Sequence, residues 1–104
     1  MIFYNITFLI DKEIGSEGLA YIKGTFIPEA TAGGVLFQPC MRKLLAIQDN
    51  DGESYAVQFR AGSLEGLRLW NDEHGRQIRI NMHERFGERI LCIETIMEKI
   101  NHEQ

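Results

Sequence analysis

The first ten residues constrain this chain more than any other stretch. From Ile2 to Ile10 most residues are β-branched or aromatic, and they alternate. Ile2, Tyr4, Ile6, Phe8 and Ile10 point one way, and Phe3, Asn5, Thr7 and Leu9 point the other. One side is apolar throughout and the other is mixed. That pattern predicts a central strand with helices over one side and something less dry over the other.

After Asp11 the period changes. Ile14, Leu19, Ile22 and Phe26 recur at helical spacing, and Pro28 predicts the end of that helix. Gly15, Gly18 and Gly24 weaken it, so tertiary packing must hold it. Glu29 to Leu36 reads as a loop. Phe37 to Gln48 is a strand candidate, with Pro39 pointing to an edge position. Asp49-Asn50-Asp51-Gly52 is a hairpin signal, leading into a third strand from Glu53 to Arg60. Ser63 then offers an N-cap.

In the second helical stretch Leu64, Leu67, Ile78, Met82 and Phe86 share one face, while Leu69 and Ile80 fall almost opposite. A straight helix would leave those two wet, which predicts a break or change of direction near Asn71 to Gly75, giving a short helix and then a longer one. Gly87 marks the helix end, and Arg89 to Met97 reads as the last strand. Residues 101–104 form a polar tail expected to fray.

The order is β-α-β-β-α-β, an α+β ferredoxin-like domain over residues 1–100, with an antiparallel four-stranded sheet and helices on one face. Right-handed connections are expected to place the first and last strands centrally and the hairpin strands outside. The other sheet face carries Phe3 and Leu9 beside Asn5 and Thr7. Such a face is a liability in a monomer, so a homodimer that covers it is expected.

Composition narrows the partners. The formal charge is −4, from 15 acidic and 11 basic residues, and the Lys and Arg residues are scattered. That disfavours nucleic acid. The N-terminus lacks the basic region and cleavage site of a secretory signal, and no apolar run approaches the ~20 residues needed to span a bilayer. A soluble, cytoplasmic protein is expected. Cys40 and Cys92 sit in apolar strand-like runs and read as reduced, buried thiols.

No nucleophile, metal or phosphate-binding motif is present, and no metal or cofactor is expected. The candidate site residues are therefore isolated ones. Glu94 alternates with Ile90, Cys92 and Ile96, and a carboxylate in that company must be paired or shifted. It reads either as a general base in a pocket under the helices or as an ion-pair partner of Lys43 or Arg42 across a dimer. His74 and Trp70 lie four apart and would share a helical face, as a pocket edge or as ordinary packing at a helix break. Asn5, Gln58 and Arg60, with Thr7, form a polar set on the strands that either binds a small ligand or wets a dimer interface.

Five short motifs in order carry a resemblance. They are Tyr4-Asn5-Ile6-Thr7, Phe26-Ile27-Pro28, Thr31 to Phe37, Tyr55-Ala56-Val57-Gln58-Phe59 and His83-Glu84-Arg85-Phe86-Gly87. Through them the chain resembles domain-of-unknown-function family 4286, a family of small Bacteroidetes proteins. Phe26 departs from relatives that carry a polar residue or histidine there. The resemblance implies kinship with the dimeric α/β-barrel superfamily, whose members include cofactor-free monooxygenases, haem-degrading enzymes and stress proteins.

Two functions follow as expectations. The first is a non-enzymatic homodimeric module that binds a ligand or an unidentified protein partner, with Trp70, Ile78 and Phe8 filling the space under the helices. The alternative is a small cofactor-free monooxygenase-like or haem-handling enzyme. It requires an apolar cavity of at least ~300 Å³ with convergent polar groups such as His74 or Glu94.

Overall fold

The computed structural model describes residues 1–45 and 52–102. Strand β1 (Ile2–Asp11) is buried at every second residue, from Ile2 to Ile10. It pairs antiparallel with β3 (Gly52–Ala61) on one side and with β4 (Ile90–Glu98) on the other. Strand β2 (Leu36–Lys43) pairs with the far side of β3, giving the order β2-β3-β1-β4. The expected order is corrected here: β1 and β3 are central, and β4 is an edge strand. The hairpin strand β3 returns to β1, so each crossover helix passes over one intervening strand. The burial patterns agree, since β3 alternates like β1 whereas β2 and β4 are mostly exposed.

The fold is ferredoxin-like, with helices on one sheet face, but the barrel implied by the resemblance is overturned. β2 and β4 stand at opposite edges and do not pair with each other, so the sheet is open. A barrel requires those edges to close.

Pro28 does not end the first helical arm. That arm runs through a short 3₁₀ turn (Lys12–Ile14), α1 (Gly15–Tyr21), a π turn (Ile22–Phe26) and α2 (Ile27–Thr31). In an α-helix the Pro28 ring would press on the Gly24 carbonyl and leave it without a donor. The π turn widens the backbone there, with the Ile27 N–H bonded to the Ile22 carbonyl. Pro28 becomes the second residue of α2, where its missing N–H costs little. The expected loop at 29–36 is therefore helix up to Thr31.

The second arm has the same construction. α3 (Leu64–Trp70) starts at Ser63, whose Oγ accepts from the Gly66 N–H at 3.0 Å. A π turn (Asn71–Gly75) leads into α4 (Arg76–Phe86), which ends at Gly87 with φ +60. The irregularity expected near Asn71 to Gly75 is this π turn, which divides a short helix from a longer one while the backbone stays helical. The extra residue shifts the phase, and Leu69 and Ile80 remain exposed at 59% and 40%.

The core lies between the arms and the sheet. Phe8, Phe26, Phe59, Ile6, Ile22 and Val57 are fully buried, with Phe8 set edge-on to Phe26 at 5.0 Å. Each such side chain stabilises the fold by about 1.5–3 kcal/mol relative to exposure. Gly18 lets α1 approach β1 closely, since a Cβ there would sit 2.9 Å from Ile10 Cγ2.

Two further expectations are corrected or set aside. Cys40 is exposed rather than buried, and Cys92 is half-buried; both are free. The hairpin turn at residues 49–51, the end of the expected second strand at 46–48, and tail residues 103–104 lie outside the described residues.

Candidate functional site

Glu94 faces the helices. In the β1–β4 register it sits opposite Ile6, one diagonal step from Tyr4, which lies opposite Ile96. The Tyr4 hydroxyl donates to Glu94 Oε2, and Arg79 Nη1 of α4 lies 3.3 Å from the same oxygen. Oε1 carries neither contact. Tyr4 is itself fixed by Trp70, edge-on at 5.8 Å, and by Phe59, stacked at 6.3 Å.

A cavity of about 440 Å³ opens above this pair. Leu67 and Arg68 of α3, Asn71 and Asp72 of the π turn, and Tyr4, Glu94 and Ile96 of the sheet line it. The π turn shapes its wall by carrying the chain over the Trp70 ring, which is seated against Gly75. A Cβ on Gly75 would lie 2.8 Å from Trp70 Cη2.

Two polar atoms close to the site are buried without a hydrogen-bond partner among the described residues: Asn71 Oδ1 and Arg79 Nη1. The Arg79 guanidinium is held by charge against Glu94. The Asn71 oxygen has no such relief.

The electrostatics follow from burial. Burial pushes the Tyr4 phenol well above its ordinary range, and donation to the Glu94 carboxylate adds to the rise. Burial likewise pushes the Cys92 thiol up to about 11, with Arg79 opposing and Glu94 adding. A phenol that stays protonated can hold one carboxylate oxygen while the other meets a ligand.

The other predicted site residues are dispersed. Trp70 is buried under the cavity floor, whereas His74 is exposed. His74 lines a separate hollow of about 330 Å³ with Glu29, Glu73 and Gln77, so the two residues expected to share a helical face are parted by the π turn. Asn5 and Gln58 are register partners on the open sheet face, where Asn5 Nδ2 donates to Thr7 Oγ1 at 3.1 Å. Arg60 lies over the Phe3 ring at 5.6 Å on that face. Within the chain, Lys43 bonds Glu53 at 3.0 Å. Trp70, Ile78 and Phe8 do fill the core under the helices, yet the cavity remains beside them.

Sequence reasoning treated Tyr4 as a core residue and gave Arg79, Asn71 and Arg68 no role. The one available signal was that Tyr4 and Glu94 both alternate with buried residues on strands that could pair.

Comparison with known proteins now adds the family. The model described as Domain of unknown function (DUF4286) matches residues 1–100. The chain belongs to the DUF4286 family. No protein of curated function matches this DUF4286 chain.

Among solved structures it is similar to an ethyl tert-butyl ether d (ethd) family protein from Bacillus halodurans. The TM-score is 0.71 at 13% identity, covering 96% of this chain and 100% of that one. It is also similar to a candidate antibiotic biosynthesis monooxygenase from Deinococcus radiodurans, at TM-score 0.69 and 10% identity over 100% and 97% of the chains. A third, described as a dimeric ferredoxin-like protein from an uncultured marine organism, gives TM-score 0.59 and 10% identity over 100% and 97%. At these identities the likeness establishes the fold. Among the described residues no helix is long and apolar enough to cross a membrane.

Proposed function

We propose that this protein is a small enzyme of the cofactor-free monooxygenase type, with the cavity over Tyr4 and Glu94 as its substrate site. One observation carries the reading: a cavity of about 440 Å³, with Leu67 and Ile96 in its lining, where the Glu94 carboxylate has one oxygen already held by Tyr4 and Arg79. The size falls within the ~300–1,000 Å³ usual for small-molecule sites. The similarity in fold to a protein named as a candidate antibiotic biosynthesis monooxygenase supports a monooxygenase reading.

The chemistry asked of the site is modest. Glu94 Oε1 takes a proton from an activated C–H or O–H of a ring substrate, while Tyr4 and Arg79 hold Oε2 and keep the carboxylate aimed. The electron-rich anion then reduces O₂ with its own electrons. At a methylene carbon a C–O bond forms, the O–O bond breaks, and the second oxygen leaves as water. The apolar side chains of Leu67 and Ile96 line the cavity where the ring of the substrate would lie. The haem branch of the class fits less well. The lining holds no histidine, cysteine or methionine, and His74 serves another hollow.

A homodimer is proposed alongside. Leu91, Ile93 and Met97 are 51%, 54% and 39% exposed and share the open sheet face with Phe3 and Leu9. A second copy laid on that face would cover them, and it leaves the cavity on the helix side free.

Oxygen uptake with an anthrone-type substrate tests the enzymatic reading. The protein is expected to accelerate uptake over the spontaneous rate, and Glu94→Gln to lose about a hundredfold or more of that acceleration. No acceleration by the unmodified protein, or full activity in Glu94→Gln, overturns it.

A further inference from the structure

The unpaired amide oxygen of Asn71 is the feature that the proposed proton transfer leaves unused. A buried acceptor without a donor is rare, because its lost hydration is not recovered. Here the residue lines the cavity, and its oxygen is shut from solvent with no partner. Turning that amide toward the cavity breaks no hydrogen bond of the oxygen, since none exists. The backbone at this position is secured independently, because the Asn71 carbonyl closes the π turn by accepting from the Arg76 N–H. The side chain is therefore free to answer a ligand without unwinding the helix.

The charge of the lining narrows what that ligand is. Arg68 and Asp72 flank the cavity from one arm, and Glu94 is matched by Arg79. With two charges of each sign, a neutral ligand is favoured over an ion. Its body must be apolar to lie between Leu67 and Ile96. It must offer one donor to Glu94 on the sheet and another to Asn71 on the helix.

We infer that Asn71 is the specificity-determining residue of the cavity, selecting neutral fused-ring compounds that carry a second hydrogen-bond donor at the end away from Glu94. The inference rests on the cavity being a ligand site, and the test separates the two.

Isothermal titration with naphthol, with a dihydroxynaphthalene bearing one hydroxyl on each ring, and with the latter's monomethyl ether decides it. The expected result is that the dihydroxy compound binds about tenfold more tightly than naphthol, as one added hydrogen bond to an unsatisfied acceptor predicts. The monomethyl ether, which has no second donor, should bind no better than naphthol. Asn71→Leu should bind naphthol and the dihydroxy compound alike. If the ether matches the dihydroxy compound, or Asn71→Leu keeps the tenfold preference, Asn71 does not select and the cavity reading survives. Should none of the three bind the unmodified protein, the cavity reading falls and this inference falls with it. The ether comparison needs no variant, so a poorly folding Asn71→Leu does not spoil the test.

Discussion

Tyr4 and Glu94 meet diagonally across β1 and β4, the phenol donating to Oε2 on the helix side of the sheet. The pair joins a buried aromatic cluster to a charge at the cavity. Removing the donor in Tyr4→Phe is expected to cost about 1.5–3 kcal/mol, the range for hydrogen bonds to charged groups, measured by urea unfolding at neutral pH.

The pH dependence of that contribution has a definite sign. The Tyr4 pKa is raised in the folded protein, so its contribution is complete below the unfolded phenol value of about 10 and is lost as pH rises past it. The unmodified protein should therefore lose stability above about pH 10 more steeply than Tyr4→Phe. Tyr21 and Tyr55, also raised by burial, remain in both proteins and cancel. Parallel alkaline unfolding curves would contradict the assignment.

Gly75→Ala should destabilise the fold even though alanine favours helices by about 1 kcal/mol. The added Cβ meets the Trp70 ring, and overpacking of this kind costs about 1–3 kcal/mol. Gly24→Ala, at the other π turn, meets nothing within 4 Å and should be neutral or stabilising. Thermal unfolding of the two variants, with near-ultraviolet circular dichroism for Trp70, reads the contrast.

The two thiols should react at different rates. Cys40 is exposed, whereas Cys92 is half-buried with its thiol pushed up to about 11. At pH 8 only about a thousandth of Cys92 is thiolate. A disulfide reagent should show one fast and one slow phase, and Cys92→Ser should remove the slow one. The slow rate should climb with pH toward 11; a flat slow phase would mean that access alone limits it.

Ile93→Lys tests the proposed pairing of open sheet faces. Ile93 lies opposite Thr7 on the face away from the core, so the change should leave the fold intact. Native mass spectrometry at low micromolar concentration should give two chains for the unmodified protein and one for the variant. A monomeric unmodified protein, or a variant still paired, removes that interface.

The elements were legible because each carries a local signal. β1 keeps one face apolar throughout, Ser63 and Gly87 are chemically suited to helix ends, and the segments between them have distinct periods. The sequence marks Pro28 and Asn71 to Gly75 as irregular points without fixing the form the irregularity takes. A proline and an out-of-phase apolar pair both signal interruption, but the backbone answered each with one extra residue in a π turn and remained helical. A carboxylate among Ile90, Cys92 and Ile96 needs a partner wherever the strand faces, and that much is a local property of β4. Which partner it takes is not a local property.

By itself, then, the sequence determined the kinds and order of the elements and the apolar face each must bury, because period, caps and glycines act within a few residues. Tertiary structure alone decided that β1 and β3 are central, that the sheet stays open, and that Tyr4, Glu94 and Arg79 converge under Asn71. Those outcomes depend on strand register and on where a crossover helix lands. Both are set by contacts between residues as far apart in the chain as 4 and 94, which no local pattern encodes.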